Sequence, residues 1–170
     1  LLGDGERIAA LLSEHNIDGL EDCAIIDPVA SRELRRDYAQ ILYEKRHRKG
    51  VTFEDAVSFM ADPSYFASAM LHRGDADGLV SGRTREYPKI VRPALRVIGR
   101  EEGVDRVAGM YIVNSRRGVY FFADTTVNLD PTVDELVDII ALTARTVYFF
   151  NMEPVVAVVS HSNFGSARNA

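Results

Sequence analysis

The segment SHSNFGS, residues 160–166, brings hydroxyl, amide and glycine groups together directly after the apolar run VVAVV. Its candidate ligand-binding residues are Ser160, Ser162, Asn163, Gly165 and Ser166. Hydroxyls and backbone N–H groups at the start of a helix bind phosphate-like anions, because the helix dipole also favours negative charge there. The segment therefore predicts a site for a phosphate or an oxyanion. A serine-capped turn that needs a glycine for its backbone angle explains the same residues equally well.

A second candidate loop, SGRTREY, follows the short apolar segment DGLV and begins with Ser81 and Gly82. Arg92 stands farther along, directly before a proline. The planar fork of an arginine matches phosphate with two parallel hydrogen bonds, so this residue favours a nucleotide-type ligand. Arg83 and Arg85 are better interpreted as solvated surface residues.

The run YEKRHRKG, residues 43–50, places five basic groups where a helix is expected to end. Cations at a helix C-terminus interact favourably with the helix dipole, and this structural role explains most of the cluster. One of the five side chains remains a candidate for phosphate binding.

The remaining polar residues show no catalytic or metal-binding pattern. The four histidines lack metal-ligand spacing, and only His161 lies in a candidate ligand loop. The single cysteine, Cys23, excludes an internal disulfide and suits a reducing compartment. ADTTVN ends an apolar run with Asp124 and Asn128, where a turn is the default interpretation and a ligand site is the alternative.

Composition and charge limit the class of protein. The sequence has 170 residues, of which 46% are hydrophobic and 26% are charged, as in ordinary globular domains. A net charge of -5 without a long basic run argues against nucleic acid or an acidic membrane as partner. No apolar stretch approaches the roughly 20 residues that span a bilayer, and no signal peptide is visible, so we expect a cytoplasmic protein. The sequence starts without methionine and stops after SARNA, so we expect a piece of a larger polypeptide.

Helical periodicity alternates with short apolar runs along the sequence. Helices are expected between Gly5 and Asn16, Ser31 and Arg48, Thr52 and Met60, Asp62 and Gly74, Pro93 and Gly99, and Thr132 and Val147. Strands are expected at 23–27, 77–82, 107–113, 119–123 and 155–159, with a hairpin around NSRRG. This order predicts a layered α/β fold with mainly parallel strands, in which ligands collect at the carboxyl ends of strands.

Together the motifs resemble those of the phosphate acetyl/butyryltransferase family. ADGLVSG, VRPAL, FFAD and a strand leading into SxS[TN]xGS follow in the family's order, and LLGDGERI, IIDP, RxxKG and GVTFEDA resemble its first half. The resemblance implies two three-layer α/β/α lobes with a cleft between them, the second inserted in the first. Residues 1–103 would be part of the first lobe and residues 104–170 the beginning of the second, so the chain would be a partial copy.

The resemblance also implies roles for individual residues. The arginine of RxxKG falls on Arg46, and the arginine before the proline falls on Arg92; both are implicated across the family in binding coenzyme A or phosphate. Ser81 and Gly82 join them as candidates. The cleft loop of the family is matched by Ser160, Ser162, Gly165 and Ser166, with Asn163 as the departure. The family's catalytic aspartate lies in a later segment, so no catalytic residue is assigned here.

Within the family, SHSNFGS, ADTTVN and RVAGMYIV resemble the C-terminal domain of bacterial hybrid malic enzymes. We therefore expect a non-catalytic domain that binds acetyl-CoA as an allosteric regulator and forms a homo-oligomer through its second lobe. In such a protein, NADP and a divalent metal would serve a separate N-terminal part that oxidatively decarboxylates malate to pyruvate. The alternative is an active phosphate acetyltransferase, which moves an acetyl group between coenzyme A and phosphate. A third possibility is a remnant that only assembles subunits.

Overall fold

The computed structural model describes residues 1–20 and 22–159, and the chain divides after Gly99 into two compact units. The first unit is Leu1–Gly99, and the second begins at Arg100 and is described as far as residue 159. The insertion of one lobe into another stays a prediction. Within the described ranges, no helix combines the length and the apolar character needed to cross a membrane.

The first unit consists mainly of helices. Its α-helices are α1 (Gly5–Glu14), α2 (Arg32–Arg46), α3 (Phe53–Phe59), α4 (Pro63–Arg73) and α5 (Tyr87–Val97), with a 3-10 turn at His47–Lys49 after α2. The side chains of Asp4, Thr52 and Asp62 accept a backbone N–H at the starts of α1, α3 and α4. Such N-caps satisfy donors that the first turn of a helix leaves open. The expected start of α3 at Thr52 is confirmed.

Three of these helices and the end of α5 share one hydrophobic core. Its fully buried side chains include Tyr38 and Leu42 of α2, Met60 after α3, and Phe66 of α4. The rings of Tyr38 and Phe66 meet edge to face with centroids 4.8 Å apart. Such an arrangement adds about 1 kcal/mol to the free energy gained by burial. The core thus fixes α2, which ends in the basic run, against α4 and α5.

Helix α5 begins earlier than the sequence predicts. It starts at Tyr87 with Pro88 in its first turn, so Pro93 lies inside the helix instead of near its beginning. A proline is tolerated in the first turn because its missing N–H would have no partner there. The earlier of the two prolines therefore marks the start of α5, and Arg92 lies in the middle of the helix.

The parallel strands that the sequence predicts do not form within the described ranges. Residues 23–27 contribute one parallel bridge, between Leu2 and Ile26, and residues 77–82 are irregular. Residues 155–159 are not assigned to a strand, and Val155 has 96% of its surface exposed. An apolar run becomes a strand only where a neighbouring strand takes up its backbone hydrogen bonds. Helices with a small sheet are consistent with an α/β fold, whereas two three-layer lobes stay a prediction.

The second unit contains the hairpin that the sequence predicts and one long helix. Strands β1 (Met110–Ser115) and β2 (Gly118–Ala123) pair antiparallel, with Met110 opposite Ala123 and Ser115 opposite Gly118. Helix α6 (Val133–Phe149) follows and begins with the predicted capping box, in which Thr132 and Glu135 exchange hydrogen bonds. Ile139 of α6 is buried, and the ring of Phe121 on β2 lies 5.8 Å from that of Phe150.

Candidate functional site

The predicted binding residues fall into two groups. Arg46, Ser81, Gly82 and Arg92 lie in the first unit, where the structure shows their surroundings. The loop residues Ser160, Ser162, Asn163, Gly165 and Ser166 lie outside the described residues, as does His161. The site can therefore be built from the first group only.

Arg46 is the last residue of α2, and its guanidinium reaches the C-terminal end of α5. Its Nη2 donates to the carbonyl of Leu95 at 2.9 Å, and its Nε donates to the carbonyl of Arg96 at 3.3 Å. The last carbonyls of a helix lack intrahelical donors and carry the negative end of the dipole, so a cation is stabilised there. Arg46 thus caps the helix that carries Arg92, the other arginine that the sequence predicts to bind a ligand.

Lys45 caps the same helix end beside Arg46. Its Nζ donates to the carbonyls of Val97 at 2.6 Å and Ile98 at 3.0 Å. Burial lowers the pKa of Lys45, and repulsion from Arg46 lowers it further. His72 lies next to this ammonium, with its Nδ1 3.5 Å from Nζ, and burial followed by the lysine charge lowers the pKa of His72. Positive charge is therefore concentrated here, and an anion would relieve the repulsion.

Arg92 is exposed on α5 and has no ion pair within the part of the chain that the structure describes. Arg96, one turn later, instead contacts other side chains of the first unit. Its Nη1 donates to the Tyr65 hydroxyl at 2.8 Å, and its guanidinium lies over the ring of Phe59. Arg92 therefore remains the arginine of this helix that can present its full fork to a phosphate.

Ser81 and Gly82 lie on the exposed loop between α4 and α5, residues 74–86. Gly82 has a φ of 114°, a backbone conformation that a residue with a Cβ adopts only with strain. The hydroxyl of Ser81 and the backbone around Gly82 are open to a ligand. The structure thus places Ser81 and Gly82 on an exposed loop instead of at the end of the strand that the sequence predicts.

Arg85 on the same loop is not the solvated residue that the sequence favours. Its Nη1 donates to both carboxylate oxygens of Asp62, at 2.9 and 2.8 Å, and to Ser64 Oγ at 3.2 Å. Burial raises the pKa of Asp62, but the hydrogen bonds from Arg85 and from the Ser64 backbone outweigh burial and lower it. Arg85 therefore joins the loop to the N-terminus of α4. The contact joins residues 23 positions apart in sequence, and no local pattern predicts it.

The other end of the loop is tied to α2 and to the end of α4. The Tyr38 hydroxyl donates to Asp75 Oδ2 at 2.6 Å, and Arg73 Nε donates to the same oxygen at 2.5 Å. The Arg73 guanidinium also lies 4.5 Å from the centre of the Tyr38 ring. Burial and the bond to Asp75 raise the pKa of Tyr38 to about 12, so the phenol remains a donor at neutral pH.

Asp124 in the second unit is held by hydrogen bonds from Gly109 and from the segment that follows Asp124. Oδ1 accepts the backbone N–H groups of Gly109, Thr126 and Val127 at 2.8 to 3.2 Å. Oδ2 accepts the backbone N–H of Asn128 at 2.6 Å and its side-chain amide at 2.5 Å. Burial raises the pKa of Asp124, but these hydrogen bonds outweigh it and lower the pKa. The turn that the sequence favours at ADTTVN is confirmed, and the hydrogen bonds to the Asp124 carboxylate stabilise it.

Among residues 1–20 and 22–159, no group of three or more His, Cys, Asp or Glu side chains could hold a metal ion. Arg46 binds the C-terminal end of α5, and Arg92 is exposed in the middle of that helix. Ser81 and Gly82 lie on a loop tied to α4. Sequence reasoning missed Lys45, Asp62 and Arg85 as parts of this arrangement. The first unit thus offers two cations, Lys45 and Arg46, at the C-terminal end of α5 and, separately, an exposed polar loop. Both features suit an anionic, phosphate-bearing ligand.

Two solved phosphotransacetylase structures are similar to this chain. EutD phosphotransacetylase from Staphylococcus aureus matches with a TM-score of 0.81 and 33% identity, over 99% of this chain and 50% of that chain. A phosphotransacetylase from Streptococcus pyogenes matches with a TM-score of 0.77 and 33% identity, over 99% of this chain and 51% of that chain. The fold of this chain is therefore similar to that of about half of a phosphotransacetylase chain.

The chain belongs to the phosphate acetyl/butaryl transferase family, whose sequence profile matches residues 1–170. The phosphate acetyltransferase of Clostridium acetobutylicum is 38% identical over 175 residues, which cover 99% of this chain and 52% of that protein. The phosphate acetyltransferase of Bacillus subtilis is 36% identical over 169 residues, which cover 99% of this chain and 51% of that protein. The chain thus spans about half the length of these relatives.

These relatives overturn the expectation of a regulatory domain from a hybrid malic enzyme. Proteins named phosphate acetyltransferase match the whole chain at 32 to 38% identity, and they support the catalytic alternative instead. The malic-enzyme assignment, with its allosteric role for acetyl-CoA, is therefore wrong. It rested on a few letters, Asn163 among them, whereas the agreement with phosphate acetyltransferases extends along the entire chain.

Proposed function

We propose that this chain is part of a phosphate acetyltransferase, which transfers an acetyl group between coenzyme A and inorganic phosphate. The observation that carries the proposal is the match to proteins of that name over 99% of the chain at up to 38% identity. The cation cluster at the end of α5 supports it, because coenzyme A and phosphate are both anionic. The matched half of the relatives would hold part of the binding surface.

The reaction itself needs few groups from the protein. A phosphate oxygen attacks the thioester carbonyl, the carbonyl oxygen becomes an oxyanion, and coenzyme A leaves as a thiolate that takes a proton. Holding phosphate beside the thioester and stabilising the oxyanion supply most of the rate enhancement in such a transfer. We assign substrate binding to Arg46, Ser81, Gly82 and Arg92, and to the loop residues Ser160, Ser162, Asn163, Gly165 and Ser166. No described residue is assigned as general base.

Arg46 can bind a phosphate while it caps α5. A guanidinium has five N–H donors, and the bonds to Leu95 and Arg96 use one from Nε and one from Nη2. The remaining donors, including both on Nη1, are available in this arrangement to an anion. Among the described residues, Arg92 caps no helix, so its whole guanidinium fork can bind an anion.

Thioester formation tests this proposal directly. The complete polypeptide is mixed with acetyl phosphate and coenzyme A, and the thioester is followed by its ultraviolet absorbance. We expect protein-dependent thioester in the wild type. Thioester that forms no faster than without protein, while a control transacetylase works in the same buffer, would reject the proposed activity.

The Arg92→Ala variant tests the assigned residue. Loss of a charge-assisted phosphate contact should raise KM for the substrate concerned by about 10- to 100-fold, as expected from 1.5 to 3 kcal/mol per contact. Arg116→Ala, which removes an exposed arginine at the tip of the hairpin, is the matched control and should leave KM unchanged. Equal KM values in the two variants would remove Arg92 from the binding site.

We also propose that the protein forms a homo-oligomer through its second unit. Large apolar side chains are exposed there, among them Tyr111 and Phe122 on the hairpin and Phe149 on α6. Such side chains mark protein interfaces when they cluster. Sedimentation equilibrium of the complete polypeptide measures the assembly, and a monomer at micromolar concentration would contradict the proposal.

A further inference from the structure

The loop of residues 74–86 is fixed at both ends and exposed between them. At its beginning, Asp75 accepts hydrogen bonds from Tyr38 on α2 and from Arg73. Near its end, Arg85 is bound to Asp62, the N-cap of α4. The two anchors therefore lie at opposite ends of the same helix.

The anchors leave the middle of the loop with spare length. Helix α4 has 11 residues, so its ends are about 17 Å apart at 1.5 Å per residue. Residues 76–84 can span up to about 30 Å when extended. The chain runs back along α4 with roughly 10 Å to spare, and Ser81 and Gly82 lie in this stretch. Where these residues sit therefore depends on the anchors more than on packing, since both are exposed.

The anchor at Arg85 is the one that controls the position of Ser81 and Gly82. It lies only three residues beyond Gly82, whereas Asp75 lies six residues before Ser81. One nitrogen of Arg85 holds three oxygens, two from Asp62 and one from Ser64. The pair is half-buried, with side-chain exposures of 34% for Arg85 and 43% for Asp62.

We propose that the Arg85–Asp62 ion pair is a positioning element for the substrate-binding loop, which holds Ser81 and Gly82 where they meet the phosphate-bearing substrate. Arg85 acts through the loop backbone and not by touching the substrate. The inference rests on the proposed function, because it assigns Ser81 and Gly82 to substrate binding. It adds a positioning contact that lies outside the predicted binding residues.

Limited trypsin digestion of the complete polypeptide tests the clamp without any activity. Trypsin cleaves after Arg83, in the middle of the loop, and mass spectrometry gives the rate of that cleavage. Arg85→Ala and Asp62→Asn should each accelerate cleavage about fivefold, the effect of losing one partly exposed ion pair. Asp62→Asn keeps an oxygen for the Ser64 N–H, so the cap of α4 survives. Lys89→Ala, which breaks the exposed pair between Lys89 and Glu86, is the control and should leave the rate unchanged.

Steady-state kinetics of thioester formation test the positioning role. Arg85→Ala should raise KM for coenzyme A or acetyl phosphate about fivefold and change kcat less than twofold, because the chemistry is not touched. Arg85→Lys should restore part of the affinity, since an ammonium can donate to the same oxygens. Lys89→Ala should match the wild type in both constants.

The outcomes separate the inference from the proposed function. Unchanged cleavage after Arg83 in both variants would overturn the clamp. Faster cleavage with unchanged KM would leave a purely structural ion pair and overturn the positioning role. A wild type without transferase activity would overturn the proposed function and the positioning role with it, while the cleavage rates would still decide whether the clamp exists.

Discussion

Replacing Asp124 by asparagine should destabilise the second unit, because this carboxylate collects five hydrogen bonds. Three donors meet Oδ1 and two meet Oδ2, all from Gly109 and residues 126–128. Asparagine has nearly the same shape but only one acceptor oxygen. Whichever way the amide is turned, its NH2 group faces at least two donors.

The decrease in the free energy of unfolding follows from the number of hydrogen-bond donors that lose their acceptor. A partly buried donor without an acceptor costs about 1 to 3 kcal/mol, and this site lies near the surface, so we take the lower part of that range. Two such donors give about 3 kcal/mol for Asp124→Asn. The pKa of Asp124 in the folded protein is below the unfolded value of about 3.9, so its stabilising effect is complete above that value. The effect is lost as pH falls through the folded pKa.

Two measurements on the complete polypeptide check this reasoning. Differential scanning calorimetry at pH 7 should show a lower Tm for Asp124→Asn, and hydrogen exchange of amides 126–128 should be faster. Asp130→Asn, at an exposed aspartate a few residues along, is the control and should match the wild type. If the two variants had the same Tm and the same exchange, the hydrogen bonds of Asp124 would not stabilise the fold. A Tm difference that stayed constant below pH 4 would refute the electrostatic part of the argument.

Three further substitutions test other contacts by calorimetry. Gly109→Ala should cost about 1 to 3 kcal/mol, because its Cβ would press against the segment after β2; Gly78→Ala, where a Cβ meets nothing within 4 Å, should be nearly neutral. Tyr38→Phe should cost about 1 kcal/mol through loss of the hydroxyl bond to Asp75, and an unchanged Tm would show that the bond is not stabilising. Thr132→Ala should cost about 1 kcal/mol through loss of the N-cap of α6, with lower helix content by circular dichroism as the accompanying sign.

Local signals in the sequence predicted much of the secondary structure. The capping boxes at Thr52 and Thr132 placed the starts of α3 and α6, and NSRRG between two apolar runs placed the hairpin. Each signal involves residues within a few positions of each other, so the backbone conformation follows from local hydrogen bonds. The predicted start of α5 was wrong, because either Pro88 or Pro93 could occupy the first turn of a helix and the sequence does not show which one does.

Contacts between distant residues could not be predicted in the same way. Arg85 meets Asp62 from 23 positions away, and Tyr38 meets Asp75 from 37 positions away. Such pairs depend on how helices pack, which periodicity does not encode. The expected parallel strands failed for a related reason, because an apolar run does not reveal which segment would pair with it.

The basic run at the end of α2 interacts with the C-terminus of a second helix, α5. Cations near a helix C-terminus were expected to meet the dipole of their own helix, and Lys45 and Arg46 do lie in the last turn of α2. Their side chains, however, donate to the last carbonyls of α5. The carbonyls of α5 hold two mutually repelling cations in place before any ligand arrives. Affinity for an anion benefits from such preorganisation, because less side-chain freedom is lost on binding. Capping a helix and binding a substrate, the role that we propose for Arg46, are therefore compatible, since the first role would prepare the second.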